Sequence, residues 1–184
     1  MINLKPNMII TGDEKTFFIS DVDKGSGDKI LAKGMHVEQM SFGLLDTVLL
    51  NRISWSLLNN VINNNDVTKK IIQADSFRDM LFYLDDILDK YNVEPIIYSV
   101  HDKESGEMYI VLIDEELRCV YIDTFNERFC SFYEANNNIN RHEMASLLQG
   151  KNTEHFKIMN EFDTVEDALN APEMFTYKDV LDTL

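Results

Sequence analysis

Five carboxylate side chains in the second half of the chain could act together on one ligand. They are Glu94, Asp114, Glu115, Glu116 and Glu134, and Arg118 is the base nearest to them in the sequence. Carboxylates spaced roughly 5 to 15 Å apart along a sheet edge can imitate a phosphate backbone, or bind a divalent cation weakly. The sequence therefore makes these five residues the candidate binding site.

The stretch that would position these carboxylates is typical of a four-stranded antiparallel meander. Runs rich in Ile, Val, Tyr and Phe occupy residues 95–101, 108–113, 117–123 and 128–133, and polar turns of hairpin length separate them. Alternate turns of a meander lie at the same end of the sheet, so the turn 114–116 is expected beside Glu94 and Glu134. We predict an α+β fold in which helices pack on this sheet.

The N-terminal residues predict a small β-hairpin region. Apolar runs at residues 8–11 and 16–21 flank a polar turn, and residues 29–33 can add a third strand. Residues 1–40 are assigned to this region, either as a separate small sheet or as an edge of the main sheet in the same domain. Residues 41–184 are assigned to an α+β domain with an acidic C-terminal half.

Two segments before the meander carry helical patterns. The apolar stripe of residues 44–62 is broader than one helix face, which indicates a helix that is covered on most sides. Ser76 followed by Asp79 forms a capping box before the stripe 77–91, and Pro95 prevents the helix from continuing. Residues 67–73 are expected to be a short helix or irregular.

Further helices are expected after the meander. Asn140 can cap a helix that Gly150 ends. A further helical stripe runs through residues 158–169, either continuous or broken at Asp163 and Thr164. A last helix is expected to begin at Thr176.

Charge is distributed unevenly over the chain. The net charge is −15, and residues 94–184 hold 19 acids and 7 bases, whereas residues 1–93 hold 13 acids and 10 bases. Such a field repels nucleic acid and anionic membranes and attracts basic proteins. A basic protein, such as a nucleic-acid-binding protein, is therefore the expected partner. The alternative is that the acidity serves only solubility.

The cellular location is expected to be cytoplasmic. No positively charged start precedes an apolar run, and no apolar run approaches the roughly 20 residues that span a bilayer. Cys119 and Cys130 both lie in predicted strands, which favours buried thiols over a disulfide framework.

One stretch resembles an enzyme motif. An apolar strand leads into Asp21 and Asp23, and this D-x-D arrangement resembles the first motif of haloacid-dehalogenase-type phosphatases over about ten residues. The resemblance implies Asp21 as a nucleophile, Asp23 as a general acid and Mg²⁺ to screen the phosphate. The chain lacks the alternating βαβ pattern of a parallel sheet, so a plain acidic turn is the competing interpretation.

Other chemical signatures fail on spacing. A calcium loop that begins at Asp21 would have Ser26 at its glycine position and Ala32 at its glutamate position. His142 and Glu143 start like a zinc-protease helix but lack its second histidine. No cofactor or metal is expected.

The sequence thus predicts a non-enzymatic acidic protein that binds a basic protein surface. Small phage-type inhibitors and nucleic-acid mimics belong to this class, and the abundance of Asn, Ile and Lys agrees with an AT-rich phage or bacterial source. One alternative is an Mg²⁺-dependent phosphatase that uses Asp21 and Asp23. The other is a structural or assembly subunit, a homo-oligomer in which a second copy covers the helix 44–62.

Overall fold

Two antiparallel sheets and three helices form the part of the chain that the computed structural model describes. That part comprises residues 3–12, 15–24, 30–38, 43–44, 48–50, 70–130, 135, 140–175, 179, 181 and 183–184. The α+β class predicted from the sequence is confirmed.

The first sheet contains the predicted N-terminal hairpin. Its six strands are β1 (Met8–Thr11), β2 (Lys15–Lys24), β3 (Ile30–Glu38), β4 (Gly43–Leu44), β5 (Val48–Leu50) and β6 (Lys70–Gln73). The strand order is β4-β3-β2-β1-β6, and β5 also pairs with β3. The Gly12 N–H donates to the Lys15 carbonyl at 2.8 Å and closes the β1–β2 turn.

The second sheet contains the predicted meander. Its strands are β7 (Ile96–Asp102), β8 (Met108–Ile113), β9 (Cys119–Asp123), β10 (Arg128–Cys130) and β11 (Phe156–Phe162), in the order β10-β9-β8-β7-β11. Strands β7 to β10 pair consecutively and antiparallel, as expected. The late strand β11 adds to the free edge of β7.

The three helices begin at polar caps. In α1 (Phe77–Lys90), Ser76 Oγ accepts from the Asp79 N–H at 3.1 Å, which confirms the predicted cap. In α2 (Arg141–Leu148), Asn140 Oδ1 accepts from His142 and Glu143 N–H at 2.9 and 3.1 Å. Thr164 caps α3 (Val165–Asn170), which a 3-10 helix (Pro172–Met174) follows.

Both sheets contribute to one hydrophobic core. Helix α1 supplies Phe77, Met80, Leu81, Leu84 and Leu88 to it. The first sheet adds Ile9, Phe18, Met35 and Val37, and the second adds Ile97, Ile110, Leu112, Val120, Ile122 and Phe129. The Phe129 ring lies 5.5 Å from the Phe77 ring and 6.5 Å from the Phe18 ring. The predicted division of the chain at residue 40 stays a prediction.

The opposite face of the second sheet carries its own core. Tyr109, Tyr121, Cys119 and Cys130 lie there, and Leu147 of α2 packs among them. The two cysteines are buried thiols, as expected.

Three helix predictions need correction. Residues 44 and 48–50 of the expected helix 44–62 belong to strands β4 and β5, because short continuous apolar runs suit a paired strand as well as a helix. Residues 70–73 form β6, an edge strand on β1. The stripe 158–169 divides into β11 and α3.

The remainder of the helix 44–62 lies outside the described residues, and so does most of the helix expected from Thr176. In the described part, no helix is both long and apolar enough to cross a bilayer.

Candidate functional site

Asp114 holds together the turn that connects β8 to β9. This residue is 2% exposed, and its Oδ1 accepts hydrogen bonds from the N–H groups of Glu116 at 3.0 Å and Arg118 at 2.9 Å. An aspartate that bonds backbone N–H groups a few residues further on is a common way to fix a turn. Asp114 therefore supports the turn from inside, and Glu115 and Glu116 are its exposed carboxylates.

Arg118 lies against the same buried carboxylate. Its Nε is 2.9 Å from Asp114 Oδ2, and its Nη2 is 3.4 Å from Glu116 Oε2. The Glu116 side chain is 60% exposed, so this second contact stabilises the turn by at most about 1 kcal/mol. The turn stays acidic because residues 114–118 carry three carboxylates and one guanidinium.

Glu94 approaches this turn from the neighbouring strand. Ile96 of β7 pairs with Ile113 of β8, so the residues before β7 lie beside the turn after β8. A pocket of about 90 Å³ forms at this place and is lined by Asn92, Val93, Glu94, Asp114 and Glu115. Three of the five predicted carboxylates, Glu94, Asp114 and Glu115, therefore line one pocket. Glu134 lies outside the described residues.

The opposite end of the second sheet uses the same device twice. Asp123 is fully buried and accepts from Asn126 N–H at 2.9 Å and Asn126 Nδ2 at 2.8 Å. Asp102 accepts from Glu104 N–H at 2.8 Å. Each of these aspartates is the last residue of its strand, and Asp114 follows directly after β8. An aspartate at the end of each of these three apolar runs was a visible signal of turn-fixing residues, whereas Asp114 was predicted only as a binding carboxylate.

Asp21 and Asp23 lie on an exposed part of the first sheet. Both are within β2, opposite Lys33 and Leu31 of β3, and β2 is antiparallel to both of its neighbours. The phosphatase motif implies carboxylates at the end of a strand in a parallel sheet, whereas the described strands pair antiparallel throughout. The geometry therefore does not favour the catalytic roles that the resemblance implies.

A second polar cluster lies on the first sheet around His36. Its Nε2 is 3.0 Å from Glu38 Oε1, and the same oxygen pairs with Lys15 Nζ. Burial lowers the pKa of His36 and outweighs the opposing hydrogen bond and charge of Glu38. Its Nδ1 is buried and makes no hydrogen bond within the described part of the chain. These surroundings favour a neutral, structural imidazole.

A third cluster joins α2 to the segment before β11. Glu143 Oε1 accepts from the His155 N–H at 3.4 Å, and Glu143 Oε2 lies 3.9 Å from His155 Nε2. The two residues are twelve positions apart, a spacing that matches no metal or catalytic motif, so their proximity depends on the fold and is not visible in the sequence.

Two further tests of function, a search for metal-binding clusters and a comparison with known proteins, gave no positive result. Among the described residues, no three His, Cys, Asp or Glu side chains converge in a way that could hold a metal ion. Comparison with protein-family models, with curated proteins and with solved structures found no match to the chain.

Proposed function

We propose that this protein is a non-enzymatic acidic binding protein that docks a basic protein surface through Glu94, Glu115 and Glu116. The observation that carries the proposal is a pocket of about 90 Å³ lined by the exposed carboxylates Glu94 and Glu115, with the exposed Glu116 next to Glu115 in the same turn. We call Glu94, Glu115 and Glu116 the acidic edge. Asp114 contributes indirectly, because it fixes the turn that presents Glu115 and Glu116.

The chemistry of the acidic edge suits a lysine or arginine of the partner. The charged end of either side chain fits a volume of about 90 Å³. Charged groups around a partly enclosed pocket act on each other more strongly than in open water, since the protein side has a low dielectric constant. A partner arginine would find carboxylates on two sides of the pocket, from the approach to β7 and from the turn after β8.

The charge of the surrounding chain supports a partner that normally binds nucleic acid. Residues 94–184 carry 19 acids against 7 bases, a field that steers basic surfaces toward this half of the molecule. Proteins that bind phosphate backbones present rows of Lys and Arg, which carboxylates can engage in the same way. Inhibitors of the phage type and nucleic-acid mimics act by this principle, and the proposal places the protein in that class.

The experiment compares two triple charge reversals that change the net charge equally. The edge variant replaces Glu94, Glu115 and Glu116 by Lys. The control variant replaces three exposed acids away from the acidic edge by Lys: Glu104 in the β7–β8 turn, Glu154 before β11 and Glu161 in β11. The probes are an arginine-rich peptide and a purified basic DNA-binding protein, and association rates are measured at about 0.05 M and about 1 M salt.

We expect the edge variant to slow association at low salt by at least about tenfold and the control variant by about threefold or less. High salt should remove most of the difference, because the Debye length falls to about 3 Å at 1 M. Equal effects of the two variants would show that net charge alone attracts basic probes, and would overturn the role of the acidic edge. Circular dichroism of both variants confirms beforehand that they fold.

No observation favours the two alternative functions. Asp21 and Asp23 lie in β2, which pairs antiparallel with both of its neighbours, whereas the phosphatase motif implies a parallel sheet. The assembly hypothesis depended on a broad apolar helix at residues 44–62, and the described residues of that segment are strands.

A further inference from the structure

Helix α2 covers reactive side chains on the outer face of the second sheet. Leu147 packs in one cluster with Tyr121, Cys119 and Cys130, and all four are buried. The Tyr121 ring lies 5.6 Å from the ring of Phe156. Phe156 directly follows His155 in the chain. Access to both thiols from this side therefore depends on how firmly α2 is held.

Glu143 of α2 contacts His155, which lies in the segment before β11. The Lys103 N–H donates to the His155 carbonyl at 2.9 Å, which ties His155 to the β7–β8 turn. Glu143 Oε1 accepts from the His155 N–H, whereas Glu143 Oε2 is buried and has no hydrogen-bond partner among the described residues. His155 Nε2 is 3.9 Å from that oxygen. A shift of less than 1 Å would bring the two within hydrogen-bond distance, at about 3 Å.

We propose that Glu143 and His155 form a pH-sensitive latch, which holds α2 more tightly on the second sheet when the His155 imidazole is protonated. A protonated imidazole is positively charged and has an N–H at each ring nitrogen, so Nε2 then donates a charge-assisted hydrogen bond to the unpartnered carboxylate oxygen, stronger than a neutral ring could donate. Histidine is the side chain that ordinarily changes charge between about pH 5 and 8. Both partners are largely shielded from water, with side-chain exposures of 12% for Glu143 and 20% for His155.

The other polar groups around the latch do not supply this charge. Burial raises the pKa of Tyr121 well above its usual range, so its hydroxyl stays neutral. Asp102 is engaged by the backbone N–H of Glu104, and Lys103 Nζ donates to the Thr153 carbonyl at 2.6 Å. Glu154, the neighbour of His155, is exposed. The imidazole is thus the group near Glu143 whose protonation changes the contact.

Amide hydrogen exchange of the full chain tests the latch. Exchange of the α2 amides is followed from about pH 8 to about pH 5.5, corrected for the intrinsic rate and for the amides of β8, which report global opening. We expect α2 protection to rise about fivefold as the pH falls, the size of one partly exposed ion pair. Alkylation of Cys119 and Cys130 at each pH, as the ratio of variant to wild type, provides a second measurement.

Three variants make the result specific. His155→Gln and Glu143→Gln should each remove the pH-dependent gain, because each leaves one latch partner without charge. His142→Gln changes an exposed histidine of the same helix and should keep the gain. The latch is overturned if wild type and His155→Gln show the same pH profile, or if His142→Gln abolishes the gain equally. The two latch variants are independent, so a folding defect in one leaves the other as the test.

Discussion

Single aspartates at the ends of strands fix the turns of the second sheet, a structural role that their charge alone does not indicate. Asp102, Asp114 and Asp123 are all buried, and each accepts hydrogen bonds from the backbone of the turn that follows. An acidic turn in this sheet therefore contains two kinds of carboxylate. One kind turns inward and fixes the backbone, and the other stays in solvent, where a partner can reach it.

Asp114→Asn should lower the free energy of unfolding by about 1 to 3 kcal/mol. The variant removes the charge that Arg118 Nε contacts at 2.9 Å. It also replaces one acceptor oxygen by an NH₂ group, so one of the buried hydrogen bonds to Asp114 loses its acceptor. Urea denaturation of both proteins measures the difference. The matched control is Glu115→Gln, an exposed neighbour that should change stability by less than about 0.5 kcal/mol. Equal losses would mean that the inward carboxylate is not what fixes the turn.

The sequence could place these residues in a turn but could not separate the two kinds of carboxylate. Glu115 and Asp114 are adjacent acids in a polar break, and composition treats them alike. The difference lies in side-chain length and position, because an aspartate next to a strand can reach the backbone N–H groups just beyond it. A glutamate in the middle of the turn has no such partner.

At the scale of elements, α1 holds the short helix α3 at both ends. Asp85 accepts from the N–H groups of Val165 at 2.8 Å and Glu166 at 2.9 Å, at the start of α3. Arg78 Nη2 donates to the Leu169 carbonyl at 2.9 Å, at its end. The two helices therefore run antiparallel, and opposite charges face the two ends of the α3 dipole. A helix of six residues has little stability of its own, so these contacts hold it in place.

Asp85→Asn should destabilise the protein by about 1 kcal/mol and increase amide exchange in α3. An asparagine keeps one acceptor oxygen but turns an NH₂ group toward the second backbone N–H. The loss stays modest because burial, the largest influence, raises the pKa of Asp85 despite its two backbone hydrogen bonds.

Asp86→Asn is the control, since it makes the same charge change on an exposed neighbour. Thermal unfolding and exchange of the α3 amides compare the two variants. A loss in Asp86→Asn as large as in Asp85→Asn would point to helix charge rather than to the clamp.

Elements with a strong local signal were predicted well, and those defined by distant partners were not. Strand β8 has the predicted bounds, and Ser76 caps α1 as expected. The four-residue spacing of Ile158 and Phe162 predicts a helix, whereas both residues lie in strand β11. A register irregularity between Ile158 and Asn160 of β11 puts them in different clusters, Ile158 in the cluster that contains Leu147 of α2 and Phe162 in the main core. A bulge depends on the pairing with β7, which local periodicity cannot reveal.

For the whole molecule, the acidic residues are concentrated in one half of the chain, whereas the hydrophobic core is built from both halves. The acidity is concentrated in residues 94–184, whereas the main core draws on residues from Ile9 in β1 to Met174 after α3. The acidic edge is therefore carried by a sheet that the N-terminal strands help to support. Unfolding of the N-terminal strands should therefore destabilise the sheet that carries the acidic edge, although Glu94, Glu115 and Glu116 all keep their charges.

Leu84→Ala tests this shared support, because Leu84 is fully buried in the core to which both sheets contribute. We expect a loss of about 2 to 5 kcal/mol, and the slowest amides of β1 and β8 should lose the same amount of protection. Hydrogen exchange followed by nuclear magnetic resonance measures the two strands in one sample. Tyr83→Ala changes the adjacent residue, which is 39% exposed, and should affect both strands much less. Loss of protection in only one sheet would mean that the two sheets open separately, with the division after β6 (Lys70–Gln73), the last strand of the first sheet, and not near residue 40. Equal loss in both would mean that one cooperative transition includes the N-terminal strands and the sheet that bears the acidic edge.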